Sequence, residues 1–213
     1  MIRRREFIAG LWSAAAWPMV ARGQQPAMPV IGFLNSRSAD GSKFLTIPFL
    51  QGLKETGYVE GQNVAIEYRR ADNQYDRLPA LAADLVRRRV AVIVTSGTPA
   101  VVAAKSATPT IPIVFGTSGD PVALGLVASL NRPGANLTGI VDLQAELTPK
   151  RLQLLRELIP SAGVYGALVD PANPATPSII PDVQAAARTL ALQLVVVTAR
   201  TNTDLEMAFA AFL

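Results

Sequence analysis

Short apolar segments of strand length alternate with helical stretches along most of this chain. Parallel neighbouring strands need a crossover connection, and that connection is nearly always a right-handed helix. The alternation therefore predicts an α/β fold built on a doubly wound parallel sheet. Strands are predicted at residues 30–34, 64–68, 90–94, 113–115, 137–141, 164–169 and 194–197.

The predicted helices fall between these strands, at residues 42–56, 78–89, 100–106, 148–159 and 182–190, with a short one from residue 119 and a last one from about residue 203. Gly57 closes the first helix as a C-cap glycine. Pro48 lies inside that helix, where it removes a backbone hydrogen bond, so a kink or a late start near Ile47 is expected. Leu152, Leu155, Leu158 and Ile159 are expected to face the core.

The amino-terminal residues have the pattern of an export leader. Arg3, Arg4 and Arg5 precede an almost uncharged apolar run from Phe7 to Val20, which is too short for a permanent transmembrane helix. Cleavage is expected near Gly23, and the mature protein is expected in the periplasm. The arginine pair favours a twin-arginine signal, with an ordinary Sec leader as the alternative.

Charge and residue usage exclude several classes of function. Without residues 1–23 the chain has 16 Lys and Arg against 15 Asp and Glu, a net charge of +1, which gives no support for nucleic-acid binding. The sequence contains neither Cys nor His, so thiolate nucleophiles, imidazole bases and the usual zinc ligands are absent. We expect no enzymatic activity, no cofactor and no metal site.

The order of the elements predicts two lobes. Residues 24–141 form a nearly complete first lobe, 142–147 a hinge segment, and 148–213 part of a second lobe. The second part has too few strands to match the first, so the natural polypeptide is expected to be longer than 213 residues. We expect a chain that lacks the later part to bind its solute weakly or not at all.

In an open parallel sheet, ligands bind beyond the carboxyl ends of the strands. Small, polar or acidic residues follow the predicted strands at this edge. The candidate substrate-binding residues are Ser36, Ser96, Thr98, Thr117, Asp120, Asp142 and Asn173.

Each candidate has a structural alternative. Thr98 precedes Pro99 at a helix start, where free amides suit a ligand carboxylate, but simple helix capping explains the same pattern. Asp120 before Pro121 is open to the same two interpretations. Asp142 precedes no immediate helix, so it is either a ligand contact or a solvated hinge acid. Asn173 lies in a proline-rich loop, where turn geometry alone accounts for such residues.

Several segments, taken together, resemble a bacterial family of ABC-transporter substrate-binding proteins that includes tryptophan- and tyrosine-binding members. The resemblance is carried by residues 3–9, 30–36, 55–61, 97–100, 120–122 and 130–139. It implies the type I periplasmic-binding fold, with two lobes joined by three crossings. In the family, the positions that match Thr98–Pro99 and Asp142 lie in the cleft between the lobes.

The resemblance also implies a function. A monomeric receptor would capture a small solute, such as an amino acid, and deliver it to a membrane permease driven by a separate ATPase. The alternative is a periplasmic ligand-sensing domain of a signalling system, which would use the same cleft.

Overall fold

A computed structural model describes residues 28–142 and 147–210 of the chain. In chain order the elements are β1 (Val30–Asn35), α1 (Lys43–Glu55), β2 (Ala65–Arg70), α2 (Leu78–Arg87), β3 (Val92–Ser96), α3 (Thr98–Ala107), β4 (Ile113–Thr117), β5 (Leu137–Val141), α4 (Thr148–Leu158), β6 (Val164–Val169), α5 (Thr176–Thr189), β7 (Gln193–Thr198) and α6 (Asn202–Ala210). Short 3-10 turns precede α1 at Asp40–Ser42 and α2 at Tyr75–Arg77.

The first five strands form one parallel sheet in the order β2-β1-β3-β4-β5. Helices connect its successive strands from β1 to β4, and helices lie on both faces. The sequence-based prediction of a doubly wound α/β sheet is therefore confirmed. This order also places the carboxyl ends of all five strands at one edge of the sheet.

The two faces of this sheet pack against different helices. On one face, Leu34, Ile93 and Ile113 are buried together with residues of α2 and α3. Gly32 belongs to this face, because a Cβ there would lie 2.9 Å from a methyl group of Leu85. On the other face, Phe33 packs against Phe49 of α1 with 5.3 Å between ring centroids.

The second sheet contains β6 and β7, which pair in parallel. A smaller core joins it to α4 and α5, with Leu152, Val183, Ala186 and Ala187 buried. The prediction that a whole leucine face of α4 is buried is wrong. Leu152 is 6% exposed, whereas Leu155, Leu158 and Ile159 are exposed, because helix α4 contacts α5 through one narrow stripe.

Proline does not delay the start of either helix that contains one in its interior. Helix α1 begins at Lys43 and runs through Pro48, so a late start is wrong, while the alternative expectation of a kink stays a prediction. Helix α5 likewise begins at Thr176 and contains Pro181. A proline deletes one backbone hydrogen bond, and packing of the apolar face, such as Phe49 on Phe33, stabilises the rest of helix α1.

Two further differences concern the candidate site. Strand β3 begins two residues later than predicted and includes Ser96, and β4 extends to Thr117. Ladder hydrogen bonds use backbone groups, so polar residues continue a strand as long as a neighbour is present. The helix predicted from Gly119 is wrong, because residues 121–125 form a turn.

The predicted leader, hinge residues 143–146 and the last three residues lie outside the described parts of the chain. Within residues 28–142 and 147–210, no helix combines the length and apolar character needed to span a bilayer.

Candidate functional site

A cleft of about 210 Å³ lies at the carboxyl edge of the first sheet. Ser96 and Gly97 at the end of β3, Thr117 at the end of β4 and Asp142 after β5 line it together with Arg37 and Phe44. The cleft is therefore built from strand ends, as expected for a parallel sheet. It brings together three of the candidate residues, Ser96, Thr117 and Asp142.

Near this edge, one residue from each of the five strands aligns in a single row across the sheet. Strand pairing aligns Arg70 with Asn35, Asn35 with Ser96, Ser96 with Gly116, and Gly116 with Ile140. Because side chains alternate along a strand, these five residues share the face covered by α1. Ser96, Gly116 and Ile140 of this row line the cleft, so the row forms its floor. Gly116 leaves room there, since the nearest atom to an added Cβ is the Ser96 hydroxyl at 3.7 Å.

Arg37 and helix α1 form one wall. Phe44 and Leu45 of the first turn of α1 line the cleft beside Arg37. The Arg37 guanidinium lies over the Phe44 ring, 5.2 Å from its centroid, in a cation–π arrangement. Arg37 forms no ion pair with any residue in the described ranges.

Asp142 supplies the opposite charge. Its backbone N–H donates to the Thr117 carbonyl at 3.1 Å, which continues the ladder between β4 and β5 by one residue. Its carboxylate is exposed and forms no ion pair within residues 28–142 and 147–210. One unpaired cation and one unpaired anion thus line the same cleft.

Thr98 and Thr117 bond to each other. Their hydroxyl oxygens are 2.9 Å apart, and both residues are buried. Thr117 Oγ1 also accepts a hydrogen bond from the Gly119 N–H at 3.2 Å. Pro99 and Ala100, the next residues of α3, are buried as well. The start of α3 is therefore enclosed by protein. Gly97, the residue just before the helix, lines the cleft.

Asp120 has the geometry of a cap. Its Oδ1 accepts hydrogen bonds from the backbone N–H groups of Val122, at 2.8 Å, and Ala123, at 3.2 Å. These bonds stabilise the turn that replaces the predicted helix. Asp120 lines a larger cavity, not the strand-end cleft.

Ser36 and Asn173 lie outside the lining of the cleft. Ser36 is buried behind Gly97, with its hydroxyl 3.3 Å from where a Cβ on Gly97 would be. Asn173 Oδ1 accepts a hydrogen bond from the Ala175 N–H at 3.0 Å, the local turn pattern that was the structural alternative. A ligand role for either residue stays a prediction.

The larger cavity, about 890 Å³, borders the same region. Asp120 and Asp142 line it from the first sheet, and Lys150, Gln153 and Asp182 line it from helices α4 and α5. Its walls combine sides of these two helices with loop residues that follow β4 and β5. Asp142 is the one candidate residue that lines both cavities.

Two charged side chains that follow strands of the second sheet lie near Tyr75 of the first part of the chain. The Arg200 guanidinium lies 5.6 Å from the Tyr75 ring centroid. Burial raises the pKa of the Tyr75 phenol, and the neighbouring Asp170 carboxylate raises it further. Asp170 and Arg200 follow β6 and β7, so the carboxyl ends of the second sheet reach the first part of the molecule.

Sequence reasoning missed Arg37 and Arg70 at this edge, and it left the strand-end residue Asn35 out of the candidate set. Asn35 Nδ2 and Arg70 Nε are buried and have no hydrogen-bond partner among the described residues. The position of Asn35 and Arg37 next to Ser36 was a usable signal, because both directly follow the apolar part of β1. Arg70 carried no such signal, because only the pairing register places it beside Asn35.

Groups of acidic residues that could hold a metal ion do not occur in the described parts of the chain.

Comparison with known proteins agrees with this architecture. The family model for ABC transporter substrate binding proteins matches residues 33–212. A tyrosine-binding protein of Clostridioides difficile (strain R20291) is 34% identical over 120 residues, which cover 56% of this chain and 34% of that protein. The match therefore spans about a third of the curated relative.

Two solved structures are also similar. A conserved domain protein from Vibrio cholerae O1 biovar El Tor has a TM-score of 0.80 at 29% identity, with 86% of this chain and 62% of that chain covered. An ABC domain from Streptococcus pneumonia, in complex with L-Trp, has a TM-score of 0.78 at 22% identity, with 86% and 61% covered. The latter likeness shows the fold, which is the type I periplasmic-binding fold. Since the family model covers most of the chain, this protein belongs to the ABC transporter substrate-binding protein family.

Proposed function

We propose that this protein is an extracytoplasmic receptor of an ABC import system that captures an amino acid in the strand-end cleft. Delivery to a membrane permease served by a separate ATPase, a periplasmic location and a monomeric state are parts of the same proposal. Membership of the substrate-binding family supports it.

The observation that carries the proposal is the unpaired Asp142 carboxylate in the cleft. An ammonium group is the natural partner of an exposed carboxylate that has no ion pair, and charge-assisted hydrogen bonds are stronger than neutral ones. The Ser96 hydroxyl and the backbone around Gly97 add polar groups in the same cleft. Together they suit a small, polar, positively charged or zwitterionic solute.

The residues present agree with a protein that binds its solute and does not catalyse a reaction on it. The sequence has no His and no Cys, and the family consists of binding proteins. In the cleft, the Ser96 hydroxyl would contribute a hydrogen bond to the ligand.

A thermal-shift screen of the purified full-length protein against the twenty L-amino acids tests the proposal, because a chain that lacks the later part is expected to bind weakly. A ligand that binds the folded state raises Tm in proportion to the logarithm of its concentration above Kd. Asp142→Asn should weaken binding of the best amino acid by about 10- to 100-fold, the loss expected for a charged hydrogen bond. Glu206→Gln, an exposed acid on helix α6, is the matched control and should bind as the wild type does.

A second variant tests whether the ligand binds in the strand-end cleft. Gly116→Val adds a β-branched side chain that suits a strand and fills the floor of the cleft. It should fold normally and lose binding. The proposal is wrong if no amino acid shifts Tm, or if both Asp142→Asn and Gly116→Val bind as tightly as the wild type.

A further inference from the structure

The row of residues that forms the floor of the cleft at Ser96 continues away from the cleft into Asn35 and Arg70. Arg70, Asn35 and Ser96 stand side by side in the pairing register, on the face covered by α1. Ser96 lines the cleft with a hydroxyl that makes no hydrogen bond to the described residues, whereas the Arg70 guanidinium lies over the Tyr68 ring, 4.6 Å from its centroid. Asp142 follows β5, three strands away from β1 in the sheet, and it is the acidic residue among the described residues that line the cleft.

Two of these groups have unused donors. Asn35 is 1% exposed, and its Nδ2 has no partner among the described residues; the same holds for the buried Nε of Arg70. Buried polar groups are nearly always hydrogen-bonded, so unpaired donors beside a cleft indicate a site for an acceptor. A ligand carboxylate brings acceptors without donors.

Asn35 also holds Arg37 in position. Its Oδ1 accepts a hydrogen bond from the Arg37 backbone N–H at 2.8 Å. The Arg37 guanidinium then stacks on Phe44 at the cleft wall, which limits its conformations without neutralising its charge.

The start of helix α3 is a poorer place for a carboxylate. The sequence made it a candidate, but Thr98 is 2% exposed and its hydroxyl bonds to Thr117. Pro99 has no N–H, and Ala100 is fully buried.

We infer that Arg37 and Ser96 form a carboxylate subsite on the α1 side of the cleft, opposite Asp142, and that Asn35 positions Arg37. This inference rests on the proposed function, and it names the ligand class as zwitterions that present a carboxylate to Arg37 and an ammonium group to Asp142. Arg37 contacts the carboxylate directly, and Arg70 adds positive charge next to Asn35.

The test pairs a change in the ligand with a change in the protein. The probes are the twenty L-amino acids and, for each that binds, the matching α-amide, in which a neutral carboxamide replaces the carboxylate. Calorimetric titration of the wild type should show the acid binding about 10- to 100-fold more tightly than its amide, as expected for a charged hydrogen bond.

Arg37→Gln should lose this preference, so that acid and amide bind with similar Kd. Arg37→Lys, which keeps the charge but not the bidentate guanidinium, should restore part of it. Arg132→Gln makes the same charge change at an exposed loop position and should leave the preference unchanged. Asn35 is not altered in this experiment, because a buried variant could fail to fold.

The outcomes separate this inference from the proposed function. If amino acids bind and Arg37→Gln keeps the full preference for acid over amide, the carboxylate lies elsewhere; the inference is then wrong while the receptor proposal stands. If no amino acid binds the wild type, both are wrong.

Discussion

Thr98 Oγ1 lies 2.9 Å from Thr117 Oγ1, so the first residue of helix α3 is bonded to the last residue of strand β4. Their positions after strands make both residues candidate ligand contacts, and that role stays a prediction. Their bond links two elements of the sheet edge, and it holds the wall of the cleft next to Gly97.

We expect Thr98→Val and Thr117→Val each to lower the free energy of unfolding, by about 1–3 kcal/mol, because Thr117→Val leaves the buried Thr98 hydroxyl unpaired and Thr98→Val removes one of the two partners of the Thr117 hydroxyl. Thr117→Val should cost more, since it also removes the acceptor for the Gly119 N–H. The double variant should cost less than the sum of the two. Urea denaturation of all four proteins measures the coupling, and strict additivity would show that the two hydroxyls do not interact.

The same substitution at two glycines should have opposite effects. Gly97 has a φ of +89°, and a Cβ there would be 3.3 Å from the Ser36 hydroxyl, so Gly97→Ala should destabilise the protein by about 1–3 kcal/mol. Gly52 lies within helix α1 with nothing within 4 Å of its would-be Cβ. Gly52→Ala should stabilise by about 0.5–1 kcal/mol. Chemical denaturation measures both, and equal signs would contradict the strain assigned to Gly97.

Stability should depend on Asp84 over an acidic pH range. Its carboxylate accepts hydrogen bonds from Arg69, at 2.7 and 2.8 Å, and from Arg87 and Arg88. These bonds, with Arg69 first, lower the pKa of Asp84 to about 2. A carboxyl whose pKa is lowered by folding stabilises the protein above its unfolded pKa, near 4, and that contribution disappears as the pH falls towards 2.

Asp84→Asn should therefore lower Tm at pH 7, and the difference from the wild type should shrink between about pH 4 and about pH 2. Thermal melts across this range measure it. Asp182→Asn, an exposed acid on α5, is the control and should track the wild type throughout. A difference that stays constant down to pH 2 would mean that the charge of Asp84 is not what stabilises the fold.

Substitutions of two leucines in helix α4 should lower the free energy of unfolding by very different amounts. Leu152 is buried in the second core with Val183 and Ala186, so Leu152→Ala should cost about 2–5 kcal/mol. Leu155 is exposed, and Leu155→Ala should cost less than about 1 kcal/mol. Circular dichroism during urea denaturation compares them. Similar losses would mean that the sequence-based assignment of a full leucine face was right after all.

Element order and type were predictable because they depend on local patterns. The unbroken apolar run at residues 90–94 and the Gly57 stop signal were interpreted from their immediate neighbours, and β5 appears at the predicted residues, Leu137–Val141. Errors concentrate where distant packing overrides the local preference. Helix α1 runs through Pro48 because Phe49 packs on Phe33 of a different element.

The candidate site was predictable only in part. The topology of a parallel sheet directs attention to strand ends, and Ser96, Thr117 and Asp142 do meet there. The local sequence around Thr98 and Asp120 could not distinguish a ligand contact from a cap. The structure adds the partners of the two side chains, since Thr98 bonds to Thr117 and Asp120 accepts from the backbone of Val122 and Ala123, and a ligand role for either stays a prediction.

The sequence by itself determined that this chain alternates strands and helices, and that it has neither thiol nor imidazole for catalysis. Only the tertiary structure decided which polar side chains share the cleft. Residues 35, 70, 96, 116 and 140 form one row because hydrogen bonds between strands align them. That alignment depends on contacts far apart in the chain, which no local pattern of residues encodes.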